Sequence, residues 1–100
     1  MNRELSMLAQ LRHRGQAPQL PVFVTDMQRF QRNMEGVGAL VIWTSLNDPQ
    51  DWKPLTGLEV YVMLRAGYSD AGARLCEAVR AARPRVLWIW NGERCDKVDA

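Results

Sequence analysis

Apolar residues along this chain follow two alternating spacings, and the changes between them fall at glycine and proline. Leu5, Leu8 and Leu11 recur every third position beside Met1 and Met7, while Arg3, Glu4, Gln10 and Arg12 fall mostly off that stripe. The spacing predicts an amphipathic helix over residues 2–14, stopped by Gly15. Residues 16–19 read as a short loop, so this helix is expected to stand apart from the rest of the chain. Residues 20–25 are apolar on both faces and rich in valine, the pattern of a strand buried in a parallel sheet. Asp26 then precedes Met27, Phe30, Met34 and Val37, whose spacing predicts a helix closed by Gly36 and Gly38.

The pattern repeats with one interruption. Residues 39–44 form a second apolar run, and residues 46–57, with Asn47-Asp48-Pro49 and Lys53-Pro54, read mostly as loop. A third strand is expected over residues 58–64. Ser69 or Asp70 then caps a helix that buries Ala71, Leu75, Ala78, Val79 and Ala82, and Pro84 stops it. Residues 86–90 make the last predicted strand. The resulting fold class is α/β: a small three-layer, Rossmann-like domain with a mostly parallel sheet of about four strands (β-α-β-β-α-β) and an extra N-terminal helix. Its parts are an N-terminal helix at 1–15, an α/β domain at 20–92 and a polar tail at 93–100. Between the second and third strands no helix is evident, so either the loop crosses over or those strands pair antiparallel.

Composition narrows the class. With 100 residues, 47% hydrophobic and 24% charged, the chain fits one globular domain and neither a disordered nor a collagenous one. No apolar run approaches the ~20 residues that span a bilayer. Residues 1–14 carry charges and no apolar h-region, so neither a signal peptide nor a membrane partner is expected. Cys76 and Cys95 lack a second pair and read as free thiols of a cytoplasmic protein. Arginine exceeds lysine eleven to two, although the net charge is only +2.

Candidate chemistry is sparse. Asp26, Ser45, Arg65 and Asn91 should gather at the carboxyl edge of the sheet, where open α/β sheets hold ligands. Asp26 reads first as a helix cap and, alternatively, as a metal ligand or base. Gly67 and Gly72 have the spacing of a phosphate loop, but Ala73 and Arg74 stand where that loop needs lysine and a hydroxyl. One histidine, His13, and two distant cysteines argue against zinc, and no cofactor is expected. Arg12 and Arg14 form one basic strip, and Arg74, Arg80, Arg83 and Arg85 another. Both read as solvated faces or, alternatively, as weak nucleic-acid contacts. Trp88 and Trp90 share one face of the last strand, as core if it is internal and as a contact ridge if it is an edge. Trp52, in the proline-bordered loop, is expected to be an exposed aromatic anchor.

The segment Asp51-Trp52-Lys53-Pro54-Leu55-Thr56-Gly57-Leu58-Glu59-Val60-Tyr61-Val62 resembles the lead-in to the acidic metal motif of TOPRIM domains in bacterial and phage primase-like proteins. The likeness extends in order from Pro21 to about Ala82. Pro21-Val22-Phe23-Val24-Thr25-Asp26 matches the strand that ends in that family's catalytic glutamate, and Asp70-Ala71-Gly72 matches its closing helix. Two departures remove the metal site. Asp26-Met27 replaces glutamate-glycine, and either Arg65-Ala66-Gly67 or Gly67-Tyr68-Ser69 replaces the Asp-x-Asp pair. Magnesium needs carboxylate oxygens, which these residues do not supply.

The resemblance therefore implies a non-catalytic TOPRIM-like module. It further implies an accessory protein of a phage, plasmid or other mobile element that binds a replication or host protein through Trp52, Lys53 and Arg65. Nucleic-acid binding through Arg12, Arg14, Arg74, Arg80 and Arg83 is one alternative. A phosphoryl-transfer enzyme with a metal site rebuilt around Asp26 with Asp48, Asp51 or Asp70 is another. A homodimer through the N-terminal helix or the Trp88/Trp90 strand is a third.

Overall fold

The computed structural model describes residues 2–19, 21–46, 50–65, 70–90 and 92–98. The candidate positions Leu20, Asp48, Ser69 and Asn91 and the Gly67-Tyr68-Ser69 register lie outside the described residues. Among these residues, three helices and five strands occur in the order α1 (Arg3–His13), β1 (Val22–Thr25), α2 (Gln28–Glu35), β2 (Leu40–Trp43), β3 (Glu59–Met63), α3 (Asp70–Ala81), β4 (Val86–Trp90) and β5 (Cys95–Val98). A 3-10 turn, Lys53–Leu55, lies between β2 and β3. The chain is thus a small α/β domain with a mostly parallel five-stranded sheet.

The strand order is β2-β1-β3-β4-β5. β1 pairs parallel with both β2 and β3, and β3 pairs parallel with β4. β2 and β3 are therefore not neighbours. The connection between them crosses over β1, with the 3-10 turn as the one helical element among its described residues, which decides between a crossover and an antiparallel pair. The expected polar tail contains a fifth strand, since β5 pairs antiparallel with β4. Cys95-Asp96-Lys97-Val98 carries no apolar alternation; the backbone of β4 makes it a strand. Trp88 and Trp90 accordingly sit on an internal strand.

Alternation sorts the sheet into two faces. Val22, Val24, Ile42, Val60, Val62 and Leu87 point into the main core, where they meet Leu5 and Leu8 of α1, Trp52, Leu55 and Leu58 of the crossover, and Leu75 and Val79 of α3. The other face carries Phe23, Tyr61 and Trp88 side by side across β1, β3 and β4. Phe23 and Tyr61 stack with centroids 5.3 Å apart, and Tyr61 and Trp88 stack at 5.8 Å. Phe30 of α2 packs on Phe23 at 5.8 Å. Of the helical face expected around α2, Met27, Phe30 and Met34 are half-buried, whereas Val37 lies beyond the helix end and is 63% exposed.

The N-terminal helix is no appendage. Leu8 is fully buried, and α1 packs against β2 and the 3-10 turn. The Asn2 side chain accepts from the Leu5 N–H at 3.1 Å, capping the helix. At the other end Gly15 takes φ +75°, and Gln16 and Gly15 donate to the carbonyls of Leu11 and Arg12, so a paired left-handed stop closes the helix. α3 ends in the same conformation with a different residue. Arg83, at φ 58°, is the only described non-glycine residue with positive φ. Its N–H donates to the Arg80 carbonyl at 3.0 Å. A Cβ in that region costs about 1–2 kcal/mol.

Candidate functional site

The sheet reverses direction of growth at β1: the chain goes from β1 outward to β2, then returns to β3 on the other side. The carboxyl ends of β1 and β3 therefore lie at a topological switch point, the usual ligand position in an open α/β sheet. Asp26 follows β1 directly and Arg65 follows β3 after Leu64. The Asp26 carboxylate accepts the Arg65 backbone N–H at 2.9 Å, tying the two ends together. Asp26 is thus not the cap of α2. The N-cap residue is Met27, which makes no side-chain cap bond, and the Met27 N–H donates instead to the Thr25 hydroxyl at 3.0 Å. The Trp43 indole N–H donates to the Asp26 carbonyl at 3.2 Å, fixing the ring at the end of β2.

Around this bridge lies an open cleft of about 910 Å³ lined by Asp26, Met27, Gln28, Arg29, Phe30, Asn33, Trp43, Arg65 and Trp90. One aspartate, two arginines and two tryptophans share this lining. Such a surface favours anionic or polar groups with an aromatic or aliphatic part beside them. Among the described residues no three of His, Cys, Asp and Glu gather as metal ligands. Asp51 instead accepts the Lys53 N–H at 3.1 Å. His13 is exposed.

Of the three residues expected to bind a partner, only Arg65 lines the cleft. Trp52 is 5% exposed and belongs to the core, which corrects the expectation of an exposed anchor. The crossover that carries it has no long helix to cover the sheet, so Trp52, Leu55 and Leu58 fill that place. Lys53 is exposed on the 3-10 turn, outside the cleft. Arg29, Asn33, Trp43 and Trp90 line the cleft without standing out for it in the sequence. A cation in the first turn of a helix that follows a buried strand is the one available signal, and it applies to Arg29.

The basic residues separate as well. Arg12 donates to the Thr56 carbonyl at 2.7 Å, pinning the loop after the 3-10 turn. Arg14 and Arg74 are exposed. Arg80 and Arg83 join Arg85 and Lys97 around a second cleft of about 560 Å³ at the amino end of β4. Burial pushes the Cys76 thiol above its ordinary range, with the Glu77 charge adding to it. The Cys95 thiol is raised by burial and by Asp96. Both cysteines are free, and neither is activated as a nucleophile. No described helix is long and apolar enough to cross a membrane. No protein-family model matches the chain, and neither a curated protein nor a solved structure is detectably similar to it.

Proposed function

We propose that this protein is a non-catalytic binding module that receives a protein partner in the cleft at the carboxyl ends of its parallel strands. The observation that carries the reading is the Asp26 to Arg65 bridge at 2.9 Å. The acid that a TOPRIM-like or Rossmann-like catalyst would turn toward a metal is here committed to a backbone N–H across the switch point. Beside it an arginine occupies a place where the resemblance calls for a carboxylate. Arg29 and Arg65 give the cleft a positive rim and Trp43 and Trp90 give it aromatic walls, which suits an acidic or polar segment with an apolar side chain to seat. In the setting that the TOPRIM likeness implies, the partner is a replication or host protein met by a mobile element.

The test pairs capture with calorimetry. Wild-type protein and the Arg29→Glu/Arg65→Glu variant serve as baits in nuclease-treated extract. A protein retained by the first and lost by the second supports the reading; identical capture by both overturns it. Titration with magnesium or manganese should give no heat, and a heat abolished by Asp26→Asn would instead restore a metal-dependent enzyme.

A further inference from the structure

We propose that the cleft between the end of α3 and the β4–β5 pair is a second binding site, for the phosphate groups of an anionic ligand. It lies at the opposite end of β4 from the carboxyl-end cleft and stands independently of it. Arg80 comes from α3, Arg83 and Arg85 from the connection to β4, and Lys97 from β5, and together they surround about 560 Å³. Among the described residues, no acidic one lines that space. Among the described carboxylates, Glu77 is 3.9 Å from Arg80, a long exposed pair that gives little stabilisation, although Arg80 is engaged elsewhere as well; half-buried Glu59 is 3.8 Å from Arg85. Asp96 pairs with Arg94 at 3.1 Å. Neither Arg83 nor Lys97 has an ion-pair partner among the described residues. Pro84, Val86, Leu87 and Val98 supply the rest of the lining, an apolar wall that offers the cations no competing acceptor and concentrates their field.

The backbone at Arg83 separates this reading from a simpler one, in which cations merely offset the carbonyl end of α3. Every other described residue with positive φ is a glycine: Gly15, Gly38, Gly57 and Gly92. Glycine at position 83 would stop the helix with less strain, as Gly15 does for α1, and the neighbouring arginines would still complement the helix end. An arginine held in that conformation indicates that its side chain is needed. Its platform is firm, because the Arg83 carbonyl accepts the Gly57 N–H at 3.1 Å and the Arg85 N–H donates to the Leu58 carbonyl at 2.8 Å. Arginine forks suit phosphate oxygens better than an equal number of lysines would.

The experiment uses two probes with the full chain at low salt: inorganic tripolyphosphate followed by NMR shifts, and a fluorescent single-stranded oligonucleotide followed by anisotropy. Saturable binding with shifts confined to residues 80–87 and 95–98 is expected. Binding of tripolyphosphate alone assigns the site to free or nucleotide phosphates. Binding of both, with a log–log salt slope of roughly −2 to −3 for the oligonucleotide, assigns it to a nucleic-acid backbone. Arg83→Gly should weaken binding about tenfold, the value of one charge-assisted contact, while its Tm stays level or rises. Lys97→Gln, on an exposed edge strand, should weaken binding without touching the helix. Arg74→Ala, outside the cleft, should leave binding unchanged. No binding of either probe overturns the proposal. So does an equal loss from Arg74→Ala, which would mean a diffuse basic face, or a fall in Tm for Arg83→Gly with binding intact.

Discussion

Trp52 sits on the crossover between β2 and β3, packed in the cluster that includes Leu55, Leu58 and Leu8. Removing its ring from so closed a place leaves a cavity as well as losing transfer free energy. Trp52→Ala is therefore expected to destabilise the domain by about 3–5 kcal/mol, read as a lowered urea midpoint. A surface anchor would leave the midpoint unmoved, so the measurement also tests the burial. Local sequence does not foretell this position, because an aromatic residue between prolines looks the same whether its loop faces solvent or lies across a sheet. Asp26 is ambiguous for a related reason. An acid between a strand and a helix can cap the helix or reach sideways, and the choice depends on whether another N–H comes within hydrogen-bond distance. Here Arg65, 39 residues later, does so.

Among the elements, the edge strand β2 shows how the sheet is protected. An unpaired strand edge invites association with another chain, and here two side chains occupy it. Gln31 of α2 donates to the Val41 carbonyl at 3.2 Å and to Glu4 of α1 at 2.9 Å. Asn2 donates to the Trp43 carbonyl while its oxygen caps α1. One residue thus starts a helix and closes an edge, so Asn2→Ala should lower stability by about 1–2 kcal/mol. A shifted urea midpoint with an unchanged slope would check it, and a concentration-dependent rise in sedimentation coefficient would report the uncovered edge. The periodicity of Leu5, Leu8 and Leu11 is enough to find α1, but not its seat. Conversely β5 has no hydrophobic signature, and only the free edge of β4 makes it a strand.

At the scale of the whole molecule, stability should be sensitive to alkaline pH. Burial raises the Tyr61 phenol, with the Glu59 charge and hydrogen bond adding to it, and burial likewise raises Cys76 and Cys95. Each group is then held neutral longer in the folded chain than in the unfolded one, which begins to ionise near the ordinary values of 9.0 and 10.0. The unfolded state therefore binds fewer protons in that window, and folding free energy is lost as pH rises through it. Urea midpoints at pH 8, 9 and 10 should fall progressively, and Cys76→Ala should flatten part of the decline. The apolar runs by themselves determined that the chain makes buried strands alternating with amphipathic helices, since burial of apolar surface in a period of two or of three to four is a local property. Only the tertiary structure decided that β2 and β3 lie on either side of β1, that Trp52 is inside, and that Arg65 meets Asp26 while Arg83 and Lys97 share a cleft. Those outcomes depend on contacts between residues distant in sequence, whose pairing no local pattern encodes.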